Sequence, residues 1–163
     1  MQALVEWQTL LSVQAGASAT LTGLVFVAVS INLNRILSVP GLSGRAAESL
    51  LLFLQVFFVC TAALIPRQPT PALAVEVLAT AMLSWGMQVA TQISYARSRV
   101  GHPMTWLITR IVQAQLASIP FFVAAIYLFQ GNPVGIYWLV PGFAFSFIAG
   151  VANAWVLLIE ILR

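Results

Sequence analysis

The side chains that could act as acids, bases, nucleophiles or metal ligands are few enough in this 163-residue chain to consider one at a time. Apart from the hydroxyls of serine, threonine and tyrosine, that set comprises four glutamates (Glu6, Glu48, Glu76 and Glu160), one histidine (His102) and one cysteine (Cys60), and seven arginines supply the permanent side-chain cations. There is no lysine and no aspartate. Schiff-base lysines, aspartyl dyads, phosphate-cradling P-loop lysines and aspartate-dependent metal sites are therefore excluded. A lone histidine between Gly101 and Pro103 cannot supply a His-paired serine nucleophile or a multi-histidine metal site within one chain. Nor can Cys60 alone form an intrachain disulfide or a thiolate cluster. The expectation is a chain without catalytic, cofactor-binding or metal-ligating residues, and so not an enzyme.

What remains for the charges is electrostatic work. Glu48, Arg110 and Glu160 fall on the polar faces of three apolar segments, all toward the same end. Arg110 lies about 9 Å into its segment at 1.5 Å per residue, so it must either reach back to the interface or pair with a carboxylate, Glu160 or Glu48. Such a cluster can be a salt bridge that fixes helix order, or a charged gate or binding site at the mouth of the bundle. Glu76 and Glu6, at the opposite end, read as solvated.

The elements that must hold these groups are defined by hydropathy. Hydrophobic residues make up 61% of the chain, in five segments at 7–32, 46–65, 72–95, 104–129 and 135–161, each long enough to cross about 30 Å of hydrocarbon. Proline- and glycine-containing breaks separate them near Pro40-Gly41, Pro66 to Pro71, Gly101 to Pro103 and Gly131 to Pro133. The fold class expected is an all-α polytopic membrane bundle of five helices, one transmembrane domain over 1–163. The tail before the first helix has no basic residue, so that helix is expected to be retained rather than cleaved as a leader. Arg35, Arg45, Arg97, Arg99 and Arg163 fall on one side and Arg67 on the other, which puts the N-terminus outside and the C-terminus in the cytoplasm. Trp7, Tyr127, Tyr137 and Trp138 then form an outer aromatic belt, with Tyr95 and Trp106 on the inner side. The scattered arginines suit anionic lipids of the cytoplasmic face, and no basic patch interleaved with aromatics suggests nucleic acid.

Helical spacing puts Ser12, Gly16, Thr20, Gly23, Val27, Ser30 and Asn34 on one small, polar stripe of the first helix. A second polar edge runs through Gln14, Ser18, Thr22 and Asn32. The first helix is accordingly expected to be the innermost, its stripe either a close-packing seam or the lining of a pore. The third helix carries Ser84, Gln88, Thr91, Gln92 and Tyr95 on one face. Gln113 in the fourth and Asn153 in the fifth complete a candidate polar interior with Gln88 and Gln92. Pro120 and Pro141 should bend the fourth and fifth helices. The first loop, with Ile36, Leu37, Val39 and Leu42, is apolar enough to lie in the cytoplasmic interface.

Glu6-Trp7, the run Ser18 to Leu33, Pro40-Gly41-Leu42 and Gly44 to Glu48 resemble a family of small bacterial membrane proteins, some labelled modulators of the FtsH protease. That resemblance covers the first third of the chain and implies an inner-membrane location, but transfers no catalytic residues. Ser18 to Ala28 is more weakly similar to the pore helix of Orai calcium channels. Here the helix lacks an acidic residue at its outer end, so no calcium-selective carboxylate ring is implied. Two functions stay open: a homo-oligomeric channel or pore for ions or small solutes, and a non-catalytic regulatory or scaffold subunit bound to another membrane protein, such as a membrane protease.

Overall fold

The structure, a computed structural model, describes residues 2–39, 41–97 and 104–162. Arg99, His102 and Arg163 lie outside the described residues, as do the side chains of Trp106 and Glu160. The described residues form helices and turns with no strand: α1 (Gln2–Ile31), α2 (Leu33–Ser38), α3 (Leu42–Ala63), α4 (Thr70–Arg97), α5 (Met104–Phe129) and α6 (Val134–Leu162). All but α2 are long and apolar enough to cross a membrane. A helix satisfies the backbone of an apolar segment from within that segment, as a span without water would require. The breaks follow local chemistry. Gly41, at φ 87°, makes the left-handed turn into α3. Pro71 sits in the first turn of α4, where a missing N–H costs nothing. Before α6, the Asn132 side-chain oxygen accepts the Val134 N–H at 3.0 Å.

The helix α3 is the hub, packed against α1, α4 and α6, while α5 lies between α4 and α6. Phe53, Val56, Val59 and Cys60 of α3 are fully buried, and Phe121 of α5 fills the space beside α6. Close approach depends on glycine at three points of α6. A Cβ on Gly150 would stand 2.5 Å from the Phe53 ring, one on Gly142 would stand 2.9 Å from Phe121, and one on Gly135 would stand 2.8 Å from the Ala124 carbonyl oxygen. Between α3 and α6, the Ser49 hydroxyl donates to the Gly150 carbonyl at 2.7 Å. The helices α5 and α6 continue past Pro120 and Pro141.

One expectation is corrected. Within the chain the first helix is outermost rather than innermost: only 17% of its spanning window is buried, against 56% for α3. It packs chiefly on α3 and barely touches α6. The physical reason is that α1 has two polar edges and only one can face the bundle. Ser18, Leu11 and Val25 turn inward, on the side of the helix opposite Gly16 and Gly23. The first loop contains α2, whose Ile36 is 1% exposed and clusters with Leu42, Ala46 and Leu157, while Leu37 remains 67% exposed.

Substituting Gly150 by Ala is expected to destabilise the detergent-solubilised chain by about 1–3 kcal/mol, since Phe53 must leave its rotamer. A Cβ at Gly16 meets nothing within 4 Å, so Gly16→Ala should change monomer stability by less than about 0.5 kcal/mol. Thermal unfolding of both variants side by side checks the contrast.

Candidate functional site

The charged centre of the chain is a pair between α3 and α5. Arg110 Nη2 donates to Glu48 Oε1 at 2.7 Å and Nε donates to Oε2 at 3.1 Å, a two-point contact in which both residues are almost wholly buried. Of the two candidate partners of Arg110, Glu48 makes this contact; the Glu160 side chain lies outside the described residues. The helix α4 completes the site: the Thr91 hydroxyl lies 2.8 Å from Glu48 Oε1 and 2.7 Å from the Gln88 carbonyl. The Tyr95 ring centroid is 4.7 Å from the guanidinium carbon, close enough for a cation–π contact. Gln92 reaches the Arg110 backbone carbonyl at 3.4 Å. Three helices therefore converge on one carboxylate. Two opposite charges removed from water are tolerable when the geometry is bidentate, and here the Thr91 hydroxyl stands within hydrogen-bond distance of the carboxylate as well.

Room for the guanidinium comes from Gly44, one turn before Glu48 on the same face of α3. A Cβ there would lie 3.1 Å from Arg110 Nη2. Gly41 is needed for its turn and again for space, because a Cβ would meet the Tyr95 ring at 2.8 Å. These residues border a cavity of about 290 Å³ between the start of α3 and the ends of α4 and α5, with Ser43, Thr91 and Ser94 also on its wall. Gly44 and Tyr95 carry this geometry without charge. The signal for Gly44 in the sequence is its four-residue spacing from Glu48.

Of the polar interior proposed from the sequence, Gln88 and Gln92 are buried on the face of α4 that meets the ion pair, and Gln88 donates to Ser84 at 3.1 Å. Asn153 is buried as well, with its Oδ1 meeting no protein donor. Gln113 is only half-buried, so it sits at the rim. Ser146, on the polar face that the sequence pattern gives the last helix together with Asn153, is buried with an unpartnered hydroxyl, and so is Ser118, which sequence reasoning did not single out. At the opposite end Glu76 is not simply solvated: Gln68 of the α3–α4 turn donates to it. Trp7 and Tyr137, both expected in the outer belt, meet edge to face at 4.8 Å.

The other candidate surface is the stripe of α1. Gly16, Thr20, Gly23, Val27 and Ser30 are all exposed, as is Asn34 of α2. No atom comes within 4 Å of a Cβ built on Gly16 or Gly23. Thr20 and Ser30 donate to the carbonyls of Gly16 and Phe26, at 2.8 Å in each case. Their hydroxyl protons are satisfied within the helix, and acceptor lone pairs face outward.

Arg110→Ala, which leaves Glu48 buried and unpaired, is expected to cost about 3–5 kcal/mol. Arg67 is exposed, and Arg67→Ala should cost less than about 0.5 kcal/mol. Equal melting temperatures for the two variants in detergent would remove the structural role assigned to the pair.

Comparison of the chain with known protein families, with curated proteins and with solved structures finds no match. Its function is therefore argued from these residues and their geometry.

Proposed function

We propose that the chain is a subunit of a homo-oligomeric, multi-pass protein of the bacterial inner membrane. In it, copies meet through α1, and the small polar stripe lines a path for ions or small solutes. The N-terminus lies outside and the C-terminus in the cytoplasm, and the subunit performs no covalent chemistry.

The observation that carries this is the outward stripe of α1. Gly16 and Gly23 have open space where a Cβ would stand, so the chain's own packing does not require glycine there. Contact with another helix would, since small residues let backbones approach. Large apolar side chains flank the stripe, with Val13 61% and Phe26 62% exposed, as suits a helix that otherwise faces lipid. Orientation is supported by the grouping of arginines: Arg45 lies in the first turn of α3, and Arg97 ends α4 near Ser94, which lines the cavity at the start of α3. That end therefore collects basic residues, in line with the bias of cytoplasmic flanks.

One observation favours the second reading, a non-conducting regulatory or scaffold subunit. The Thr20 and Ser30 hydroxyls already bond within the helix, so the stripe needs no water and could pack dry against a different membrane protein.

Gly23→Cys in native membranes is expected to give disulfide-linked dimers on mild oxidation, whereas Leu116→Cys, exposed on α5, should not. In liposomes, wild-type protein should pass ions or small solutes and Gly23→Leu should lose flux while remaining assembled. Linkage without flux for cations, anions or protons would favour the regulatory subunit. Absence of linkage at residue 23 would remove the α1 interface itself.

A further inference from the structure

A groove of about 490 Å³ lies between the last part of α1 and the end of α6, and α2 contributes to one end of it. Leu24 and Ala28 line it from α1, Ala154 and Leu158 line it from α6, and Ile36 stands at the α2 end with Asn32, which supplies the polar side chain. The groove exists because α1 packs on α3 and barely touches α6. Alanine on both walls, at 28 and 154, leaves it wide. Its lining on α1 includes Val25, on the side of the helix opposite Gly23, so the groove is separate from the stripe. The apolar span of α1 is Glu6–Ile31, and the groove therefore ends where that span ends. From Leu24 to Asn32 it follows α1 for about 12 Å at 1.5 Å per residue. One leaflet of hydrocarbon is about 15 Å thick, half of a bilayer core.

We propose that this groove holds one acyl chain of an anionic phospholipid, with the headgroup at the α2 end. The inference rests on the chain spanning a membrane and is independent of contact between copies through the stripe. Size decides against a helix as the occupant. A helix about 10 Å across would fill roughly 900 Å³ over the same 12 Å, nearly twice the volume of the groove. A flexible hydrocarbon chain has no such minimum width, and the volume falls in the range of ordinary ligand sites. Leu24 and Leu158 are 63% and 53% exposed, so the groove opens sideways and a lipid enters without leaving the bilayer. The α2 end supplies the complement to a headgroup. Asn32 spends one amide N–H on the Ala28 carbonyl at 2.9 Å, and its second N–H can donate to a phosphate or ester oxygen. Arg35, exposed in α2 and next in sequence to Ile36, sets a positive charge at the level where lipid phosphates stand, which favours an anionic headgroup over a zwitterionic one.

The test uses the full chain in detergent, titrated with phosphatidylglycerol and, separately, with phosphatidylcholine of the same acyl chains, and read by native mass spectrometry. One phosphatidylglycerol per chain should bind saturably. Ala28→Phe and Ala154→Phe each fill the groove and should weaken that binding about tenfold or more, whereas Leu116→Phe, on the exposed face of α5, should leave it unchanged. Arg35→Gln should reduce the preference for phosphatidylglycerol over phosphatidylcholine about fivefold. Circular dichroism checks that each variant keeps its helices. In the unaltered chain, a phosphatidylglycerol with a photoreactive group midway along one acyl chain should label the facing segments of α1 and α6. Labelling spread evenly over all the helices, equal affinity for the two lipids, or unchanged affinity in both groove variants overturns the proposal. Loss of self-association in the groove variants with lipid binding intact would assign the groove to a second copy and overturn it as well.

Discussion

A carboxylate and a guanidinium that have been taken out of water must stay together, and the arrangement of three helices follows from that constraint. Each charge alone would be costly in the low-dielectric interior, and their attraction compensates only when hydrogen bonds occupy the remaining lone pairs. Glu48 meets that condition by drawing on α5 for the guanidinium and on α4 for a hydroxyl. Sliding any one of the helices by a residue would break the set. Apolar packing specifies that the helices associate; this pair specifies their register.

Around that fixed point the chain divides its small residues between two tasks. In α6, glycines are spent on contact within the subunit, where the Phe53 and Phe121 rings occupy the space a side chain would need. In α1, glycines meet nothing. The same residue type is thus packed against a ring in one helix and open in the other, and the proposed interface rests on that contrast. The link from structure to function runs through this contrast, because an outward polar face in a bundle of apolar helices is best satisfied by another helix or by water in a path.

Much of the architecture was legible because charge was scarce. Five spans could be read from hydropathy, and Arg110 had few carboxylates to choose from. That Glu48 meets Arg110 in a two-point contact was not legible, since it depends on how α3 stands relative to α5, and periodicity reports only faces. The orientation of α1 was misread for a related reason. Its two polar edges lie on nearly opposite sides, so the pattern does not state which faces inward; the decision falls to Leu11, Ser18 and Val25 fitting against α3. The helix α2 escaped notice because a six-residue helix is too short to display a period, and its stability comes from the burial of Ile36.

The central claim is that α1 meets α1 of another copy, and distances between spin labels at Thr20 in lipid nanodiscs test it most directly. Thr20 is exposed on the stripe, so the account predicts a narrow inter-copy distance within about two helix diameters, on the order of 20 Å. Absence of dipolar coupling at full labelling, in protein that retains its fold, would contradict it.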